Sequence, residues 1–145
     1  GDVFWTQAVH DITIIKHILG YVPDTVQYIH TIKNGAGLPV SFIAVIGDAP
    51  AIFISVSGQH CSKQSGVSII GSKGMAELHN AYDEIISIRT EAGEEKIKID
   101  NAMPLYLELK EFTEYLYGSN PPRCSLREAW EASSAILNLR KAANL

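Results

Sequence analysis

Apolar residues near the start of the chain recur with the period of an amphipathic helix. Between Trp5 and Leu19 they return every three or four positions, a spacing that gathers them on one side of a helix. Gly20 stands directly after the last of them, where a glycine commonly ends a helix. The pattern therefore predicts a helix from Trp5 to Leu19. Because the chain begins with Gly1 and close to this helix, we expect it to be part of a longer protein.

The middle of the chain alternates apolar and polar positions with a period of two, which is typical of half-buried strands. The predicted strands cover residues 25–33, 39–46, 51–57, 67–70, 75–79, 84–89 and 95–100. Short links rich in turn-forming residues join them, and such links favour antiparallel pairs. The strands at 39–46 and 51–57 carry apolar residues on both faces. We expect helices to cover one face and a second copy of the chain to cover the other, as a homo-oligomer formed through the sheet.

Two helices are predicted at the end of the chain. Pro104 suits the first turn of one of them, and its apolar stripe consists of Leu105, Leu109, Phe112 and Leu116. Ser125 and Glu128 form the S-x-x-E pattern of a capping box at the start of the other, whose helically spaced residues are Trp130, Ser133, Ile136, Leu137 and Arg140.

Grouped strands with helices at both ends define the α+β class. We expect an open, mainly antiparallel sheet of about six or seven strands with helices on one face. The length of 145 residues favours a single domain over residues 1–145. With 46% hydrophobic and 19% charged residues, the chain can bury a core without a disulfide or a metal ion.

Charge and hydropathy exclude two kinds of partner. A net charge of −4 disfavours binding to a nucleic-acid backbone. The apolar runs are far shorter than the ~20 residues that span a bilayer, and Asp2 and Asp11 lie where a signal peptide carries basic residues. Cys61 and Cys124 belong to no CxxC pattern and no metal-site spacing. We therefore expect a reduced, cytoplasmic protein without metal, nucleic acid or membrane as partners.

His10 and Asp11 in the first helix are the candidates for acid–base chemistry. His10 lies near the helix N-terminus, where the positive end of the dipole would favour a neutral imidazole, the form that a general base needs. The alternative is a surface histidine beside an aspartate that serves the helix dipole, and spacing by itself leaves both open. The weaker candidates are His17, His30, His60 with Cys61, and His79.

Two glycine motifs are interpreted as turns. Gly35-x-Gly37 lacks the third glycine and the following helix of a dinucleotide site. The segment from Gly71 to Gly74 joins two strands, so no helix N-terminus stands ready to hold a phosphate. We expect no nucleotide cofactor bound to this chain.

Three segments, in the right order, resemble the C-terminal domain of the Gfo/Idh/MocA oxidoreductases. The opening GDVFWTQAVHDITIIKHILG resembles the family's D-x-G-x-H-D-x-D segment and the apolar helix after it, with His10-Asp11 and Leu19-Gly20 matching. VSIIGSKGMAEL resembles the family's strand–G-x-x-G–strand segment. L-x-x-F-x-x-Y-L-x-G-x-x-P-P, over residues 109–122, and the SLREAWEASSAILNLRKAA after it resemble the family's closing pair of helices.

This resemblance implies an α+β domain that forms one wall of a substrate site and the oligomer interface of a larger enzyme. An N-terminal Rossmann domain, absent from this chain, would bind NAD or NADP. The substrates would be sugars, inositols or nucleotide sugars, oxidised or reduced at a hydroxyl or carbonyl group. The resemblance implies that His10 is the catalytic acid/base and that Thr6 and Gln7 help to line the pocket. The isolated chain is then expected to be inactive.

Two of the family's aspartates are replaced in this chain. Thr6 stands where the motif has an aspartate four residues before His10. Thr13 stands where the motif has its last aspartate, two residues after Asp11. Thr6 shares a helix face with His10, but a threonine cannot hold a charge against an imidazolium. Two other functions therefore stay open: a sugar-binding relative without catalysis, and a free-standing α+β dimerisation module.

Overall fold

The computed structural model describes residues 1–62, 64–99, 103–118, 121 and 125–145. The elements are, in chain order, a π-helical turn at Phe4–Ala8, α1 at Val9–Leu19, β1 at Val26–Lys33, β2 at Pro39–Ile46, β3 at Ile52–Ser57, β4 at Val67–Gly71, β5 at Gly74–Leu78, β6 at Ile85–Thr90, β7 at Gly93–Lys98, α2 at Pro104–Leu116 and α3 at Leu126–Ala142. Each predicted helix and strand is present, and the α+β class is confirmed. Asp100, the end of the last predicted strand, lies outside the described residues.

The strands pair antiparallel, as predicted. Within the described residues, however, they form two separate sheets and not the single sheet that was expected. One sheet has the order β1-β2-β3 and the other the order β4-β5-β6-β7. The polar, irregular segment between Ser57 and Val67 separates them. The chain correspondingly contains two compact units. The first comprises residues 1–60 and 123–145, and the second comprises residues 61–122.

The core of the first unit lies between its helices and one face of the β1–β3 sheet. Alternate residues of β2, Phe42, Ala44 and Ile46, point into it because successive side chains of a strand face opposite ways. The ring of Phe4 is fully buried and stacks on Phe42 with centroids 4.3 Å apart and planes 4° from parallel. On the other side of this core, the buried residues are Val3, just before the first helical segment, and, from the helices, Phe4, Ala8, Ile12, Ile15, Ala132, Ile136 and Leu139.

Asp2 anchors the start of the first helical segment. Its carboxylate accepts a hydrogen bond from the Phe4 amide at 3.0 Å, and its carbonyl oxygen accepts from the amides of Trp5 and Thr6. Arg140 of α3 forms an ion pair with the same carboxylate, and its guanidinium lies 5.7 Å from the centroid of the Phe4 ring. Arg140, which is distant in the sequence, therefore helps to hold the start of the first helical segment.

Lys16 connects α1 to the first two turns of α3. Its Nζ donates to Oε2 of Glu131 and lies 4.0 Å from Oε1 of Glu128. The capping box predicted from the sequence is confirmed: the Ser125 amide donates to Glu128 Oε2 at 2.8 Å, and the Glu128 amide donates to Ser125 Oγ at 3.2 Å. Glu128 therefore takes part in capping the N-terminus of α3 and also attracts Lys16 of α1.

Acid should weaken this helix pair. The hydrogen bond from the Ser125 amide is the main cause that lowers the pKa of Glu128, and the hydrogen bond from Lys16 is the main cause that lowers the pKa of Glu131. A carboxyl group can have a lower pKa in the folded state than in the unfolded state. Such a group stabilises the fold at pH values above its unfolded-state pKa, and this stabilisation is lost as the pH falls through its folded-state pKa. We expect the urea midpoint to decrease as the pH falls below the ordinary glutamate value of 4.5.

Two variants and one control test this acid dependence. Glu128→Gln and Glu131→Gln should each make the urea midpoint less sensitive to pH below 4.5. Glu91→Gln, in the turn between β6 and β7, should leave the dependence as it is. Asp11 works in the opposite sense, because burial raises its pKa and protonation then favours the folded state. An unchanged acid response in the Glu128→Gln, Glu131→Gln double variant would contradict the prediction.

In the second unit, Gly74 allows β5 to leave a two-residue turn close to β6. Gly71 pairs with Gly74 across Ser72 and Lys73, which confirms this segment as a turn between strands. Gly74 has a φ of +151°, and a Cβ built on it would lie 2.2 Å from the carbonyl oxygen of Arg89. A side chain at this position would therefore push β5 away from β6.

Gly74→Ala should destabilise the protein by about 1–3 kcal/mol, since both the backbone conformation and the available space exclude a Cβ. Urea unfolding would measure the loss. The matched control is Gly35→Ala in the β1–β2 turn, where a Cβ meets no atom within 4 Å. We expect this control to change stability by no more than about 0.5 kcal/mol. Equal effects of the two substitutions would contradict the steric argument.

The two final helices expose apolar residues that the sequence pattern placed on their packing stripes. The α2 stripe is confirmed as one face of a helix, but its residues are exposed. In α3, Ile136 is buried, whereas Trp130 and Leu137 lie on the exposed side. The periodicity of the apolar residues correctly identifies one face of each helix. It does not show that residues on these faces are exposed to solvent in this chain. Among the described residues, no helix has both the length and the apolar character needed to cross a membrane.

Candidate functional site

The three predicted site residues lie on the exposed surface of the first helical segment. Thr6 and Gln7 belong to the π-helical turn, and His10 is the second residue of α1. The sequence predicted a regular helix here, and the π turn is a new feature. Such turns are rare, and they frequently occur at functional sites. The structure therefore places Thr6, Gln7 and His10 on little more than one turn of helix.

His10 is free to face a ligand. Its side chain is exposed, and its imidazole makes no hydrogen bond within the described part of the chain. The helical segment begins at Phe4, so His10 lies in the second turn, beyond the first turn over which a helix dipole acts most strongly. Partial burial is the main cause that raises the pKa of the neighbouring Asp11, and the charge of His10 counteracts this rise. An accessible imidazole of this kind can exchange a proton with a bound hydroxyl group.

The two threonines that stand where the resemblance expects aspartates bond back to their own helix. Thr6 Oγ1 donates to the carbonyl oxygen of Asp2 at 3.0 Å, and Thr13 Oγ1 donates to that of Val9 at 2.8 Å. Each hydroxyl can still accept a hydrogen bond from a ligand. Neither can supply negative charge beside His10.

Gln7 lies over the end of β3. Its carboxamide makes no hydrogen bond among the described residues, and Nε2 lies 3.7 Å from where a Cβ on Gly58 would be. The same Cβ would lie 3.2 Å from Cγ1 of Val3 and 3.4 Å from the carbonyl oxygen of Val40. Because Gly58 has no side chain, the chain at the end of β3 can approach the π-helical turn closely.

Sequence reasoning missed Asp2 and Gly58 as residues that shape this surface. Asp2 directly precedes the apolar pair Val3-Phe4, a position where an aspartate signals the start of a helix. Gly58 follows a predicted strand and opens a polar segment, a pattern that signals only a turn. The contact between Gly58 and the π turn joins distant parts of the sequence, and no local pattern indicates it.

The chain's own glycine motifs do not fit a dinucleotide. The carboxamide oxygen of Asn34 accepts from the amides of Ala36 and Leu38 at 3.0 Å each, which confirms the Gly35-x-Gly37 segment as a hairpin turn. Neither this turn nor the one ending at Gly74 leads into a helix. Both therefore lack the helix N-terminus that holds a pyrophosphate.

The structure gives the surroundings of two other predicted candidates, His17 and Cys61. His17 approaches Glu128 at the α1–α3 contact, and Cys61 is exposed with a free thiol. Cys124 lies outside the described residues. No group of three or more His, Cys, Asp or Glu side chains in the described ranges is placed to hold a metal ion. An open cleft of about 440 Å³ lies between residues 21–25 and 47–50 and includes none of the three predicted site residues.

Comparison of the whole chain with solved structures identifies its fold. It matches the UDP-N-acetylglucosamine 3-dehydrogenase GnnA of Acidithiobacillus ferrooxidans with a TM-score of 0.87 and 15% identity, over 97% of this chain and 47% of that one. It matches the dehydrogenase MviM of Clostridium difficile with a TM-score of 0.74 and 11% identity, over 98% and 47% of the two chains. An oxidoreductase from Agrobacterium radiobacter, in complex with NAD⁺, L-tartaric acid and magnesium, matches with a TM-score of 0.72 and 12% identity, over 95% and 46%.

These likenesses define the class of fold: an α+β domain of the kind found in Gfo/Idh/MocA-type dehydrogenases and oxidoreductases. The fold expected from the sequence resemblance is therefore confirmed. This chain spans about half the length of the solved structures that it matches. No protein-family model and no curated protein matches it.

Proposed function

We propose that residues 1–145 form the substrate-binding and oligomerisation domain of an NAD(P)-dependent oxidoreductase. The observation that carries this proposal is the match of nearly the whole chain to about half of a dehydrogenase. Hydride chemistry requires a nucleotide-binding half, and the glycine motifs of this chain do not fit one. NAD or NADP would bind to the rest of the longer protein, and the isolated chain would be inactive.

The proposed substrate carries a hydroxyl or carbonyl group on a sugar, an inositol or a nucleotide sugar. Two observations support this class. GnnA of Acidithiobacillus ferrooxidans is a UDP-N-acetylglucosamine 3-dehydrogenase. The exposed surface around His10 presents a hydroxyl, a carboxamide and an imidazole within little more than one helical turn, which are side chains that hydrogen-bond polyhydroxylated ligands.

Each proposed site residue has a distinct role. His10 would take the proton from the substrate hydroxyl during oxidation and return it during reduction, because its imidazole is exposed and unbonded among the described residues. Gln7 would bind a neighbouring oxygen through its carboxamide. Thr6 would accept a hydrogen bond from the substrate while its own proton stays on the Asp2 carbonyl oxygen.

A second copy of the chain would cover the outer face of the β1–β3 sheet. The register aligns Tyr28, Val45 and Phe53 in one row across the three strands. Ile32 and Ile43 lie on the same face, and Phe53 is 82% exposed. An apolar sheet face of this kind is typical of an interface. This face is where the predicted homo-oligomer through the sheet would form.

One observation favours a second function, a sugar-binding protein without catalysis. Thr6 stands where the resemblance expects an aspartate, and its hydroxyl is already bonded to the backbone. The surface then keeps groups that bind a sugar but loses the charge that would stabilise an imidazolium. A thermal-shift screen with sugars and nucleotide sugars would detect such binding in the absence of turnover.

The experiment that tests the proposal compares the 145-residue chain with the full-length protein read from its gene. The coding sequence before codon 1 should contain about 120 residues that begin with a strand–GxGxxG–helix unit. Reduction of NAD⁺ or NADP⁺ by a panel of nucleotide sugars, sugars and inositols should occur with the longer protein and not with the chain of 145 residues. Turnover by the shorter chain, or a gene without the dinucleotide unit, would contradict the proposal.

A further inference from the structure

Two half-buried ion pairs join the first helical segment to α3. Asp2 pairs with Arg140 at the start of the segment, and Lys16 pairs with Glu131 near its end. The four side chains are between 18% and 31% exposed, so solvent screens both pairs less than it screens a pair on the open surface. α3 therefore holds this segment at two places, one on each side of the three predicted site residues.

The ion pair at the start of the segment is connected to the site through the backbone of Asp2. The Asp2 carbonyl oxygen accepts hydrogen bonds from the Thr6 amide at 3.1 Å and from the Thr6 hydroxyl at 3.0 Å. The Asp2 carboxylate accepts from the Phe4 amide and pairs with Arg140. Asp2 therefore links Arg140 to Thr6, and the position of the Thr6 hydroxyl depends on where Asp2 is held.

The π-helical turn takes its support from outside its own sequence. Its first turn contains no acidic residue, and Val3 at its N-cap position has no polar side chain to cap it. The Asp2 carboxylate instead supplies negative charge beside the positive end of the helix dipole. The guanidinium of Arg140 lies 5.7 Å from the centroid of the Phe4 ring, within the range of a cation–π contact. Arg140 thus holds this turn by a charged contact and by an aromatic one.

We propose that Arg140, acting through Asp2, is the positioning residue of the candidate site. This inference rests on the proposed function, in which Thr6, Gln7 and His10 contact the substrate. These three residues lie on little more than one turn of helix, so a shift of that turn moves all of them together. A misplacement of about 1 Å can reduce the rate of an enzyme about 100-fold. Arg140 would act by fixing the groups that contact the substrate, without contacting it.

The ion pair of Lys16 offers a matched comparison. Lys16 contacts the same helix and is as deeply buried as Arg140, but it lies six residues after His10. Within the described residues it makes no hydrogen bond to Thr6, Gln7 or His10. Its loss would weaken the contact between α1 and α3 and leave the π-helical turn in place. The two pairs can therefore separate the stability of the helix pair from the geometry of the site.

The kinetic test uses the full-length protein, at a temperature where every variant remains folded. Arg140→Met removes the charge but keeps an unbranched side chain, and it should lower kcat/KM by about 10- to 100-fold. Arg140→Lys keeps a positive charge for Asp2 and should recover most of this loss. Lys16→Met should lower the urea midpoint but leave kcat/KM unchanged. A loss of kcat/KM in Lys16→Met as large as in Arg140→Met would overturn the proposal.

A double-mutant cycle shows whether Arg140 acts through Asp2. Asp2→Asn keeps an oxygen that can accept from the Phe4 amide but removes the charge, and it should lower kcat/KM by a factor similar to that of Arg140→Met. The variant with both substitutions should be no slower than either single variant, since each removes the same contact. Losses that multiply in the double variant would overturn the proposal, because the two residues would then act independently.

Amide hydrogen exchange tests the positioning without an assay of turnover. The amides of Phe4, Trp5 and Thr6 donate to Asp2. In the full-length protein, Arg140→Met should raise their exchange rates about tenfold, because the turn opens more often once Asp2 is released. Lys16→Met should leave these rates unchanged.

The exchange rates distinguish a failure of this inference from a failure of the proposed function. Unchanged exchange in Arg140→Met would overturn the positioning role of Arg140, whatever the activity of the parent protein. A parent protein without turnover would contradict the proposed function, and the exchange rates would still decide whether Arg140 holds this surface.

Discussion

Phe4→Ala should lower the free energy of unfolding by about 3–5 kcal/mol, the usual cost of removing a fully buried aromatic ring. The Phe4 ring is completely buried, stacks on Phe42 and lies under the guanidinium of Arg140. Its loss leaves a cavity between the helical segment and the sheet and removes both ring contacts. Since a domain of this size is stable by about 5–15 kcal/mol, the variant would lose a large share of its stability. Urea unfolding followed by circular dichroism would measure the change.

The control for this prediction is the neighbouring aromatic residue. Trp5 lies in the same π turn but is exposed, so Trp5→Ala should cost less than about 1 kcal/mol. Phe4→Leu keeps most of the apolar volume and should cost less than the alanine variant. If Trp5→Ala and Phe4→Ala destabilised the protein equally, the stacked pair would not be the centre of this core.

If the proposed function is correct, His10→Asn should reduce kcat/KM of the full-length protein by about 10²–10⁴, the usual contribution of a general acid or base. Asparagine keeps a polar side chain of similar reach but cannot accept the substrate proton at neutral pH. The loss should fall on kcat more than on KM, because the proton moves in the transition state and not on binding. Steady-state kinetics with the substrate found in the panel would measure both constants.

Two further readouts separate chemistry from structure in the His10 experiment. The urea midpoint of His10→Asn should equal that of the parent, since the imidazole is exposed and makes no hydrogen bond among the described residues. His17→Asn, on the same helix but beside α3, should retain full activity. A His10→Asn enzyme within a few-fold of the parent rate would remove His10 from the mechanism, and a sugar-binding function without acid–base chemistry would then gain support.

Local patterns predicted those parts of the fold that local physics determines. The capping box of Ser125 and Glu128, the proline at the start of α2 and the glycine turn before β5 each depend on a few neighbouring residues, and each lies where the sequence indicates. The π turn could not be predicted in this way. Its hydrogen-bond register differs from that of an α-helix by one residue, while Asp2 and the buried Phe4 hold its start.

The candidate site shows the same division between local and distant information. The sequence predicted that Thr6, Gln7 and His10 belong to one helical segment, and in the structure all three are exposed on that segment. It did not show that Gly58 approaches Gln7, since this contact joins two elements that are far apart in the sequence. Periodicity also could not reveal that the apolar stripe of α2 is exposed, because such a stripe looks the same whether its partner lies in the same chain or in another.

The ion pair between Asp2 and Arg140, separated by 138 positions, has a consequence for the order of events on the ribosome. Residues 1–60 leave the ribosome well before Ile136 and Leu139, which complete their core. The intervening unit can fold while the β1–β3 sheet still lacks α3. Any nascent chain that stops before residue 125 therefore lacks the α3 part of this core and exposes apolar residues, and this makes prematurely terminated chains a target for chaperones and proteases.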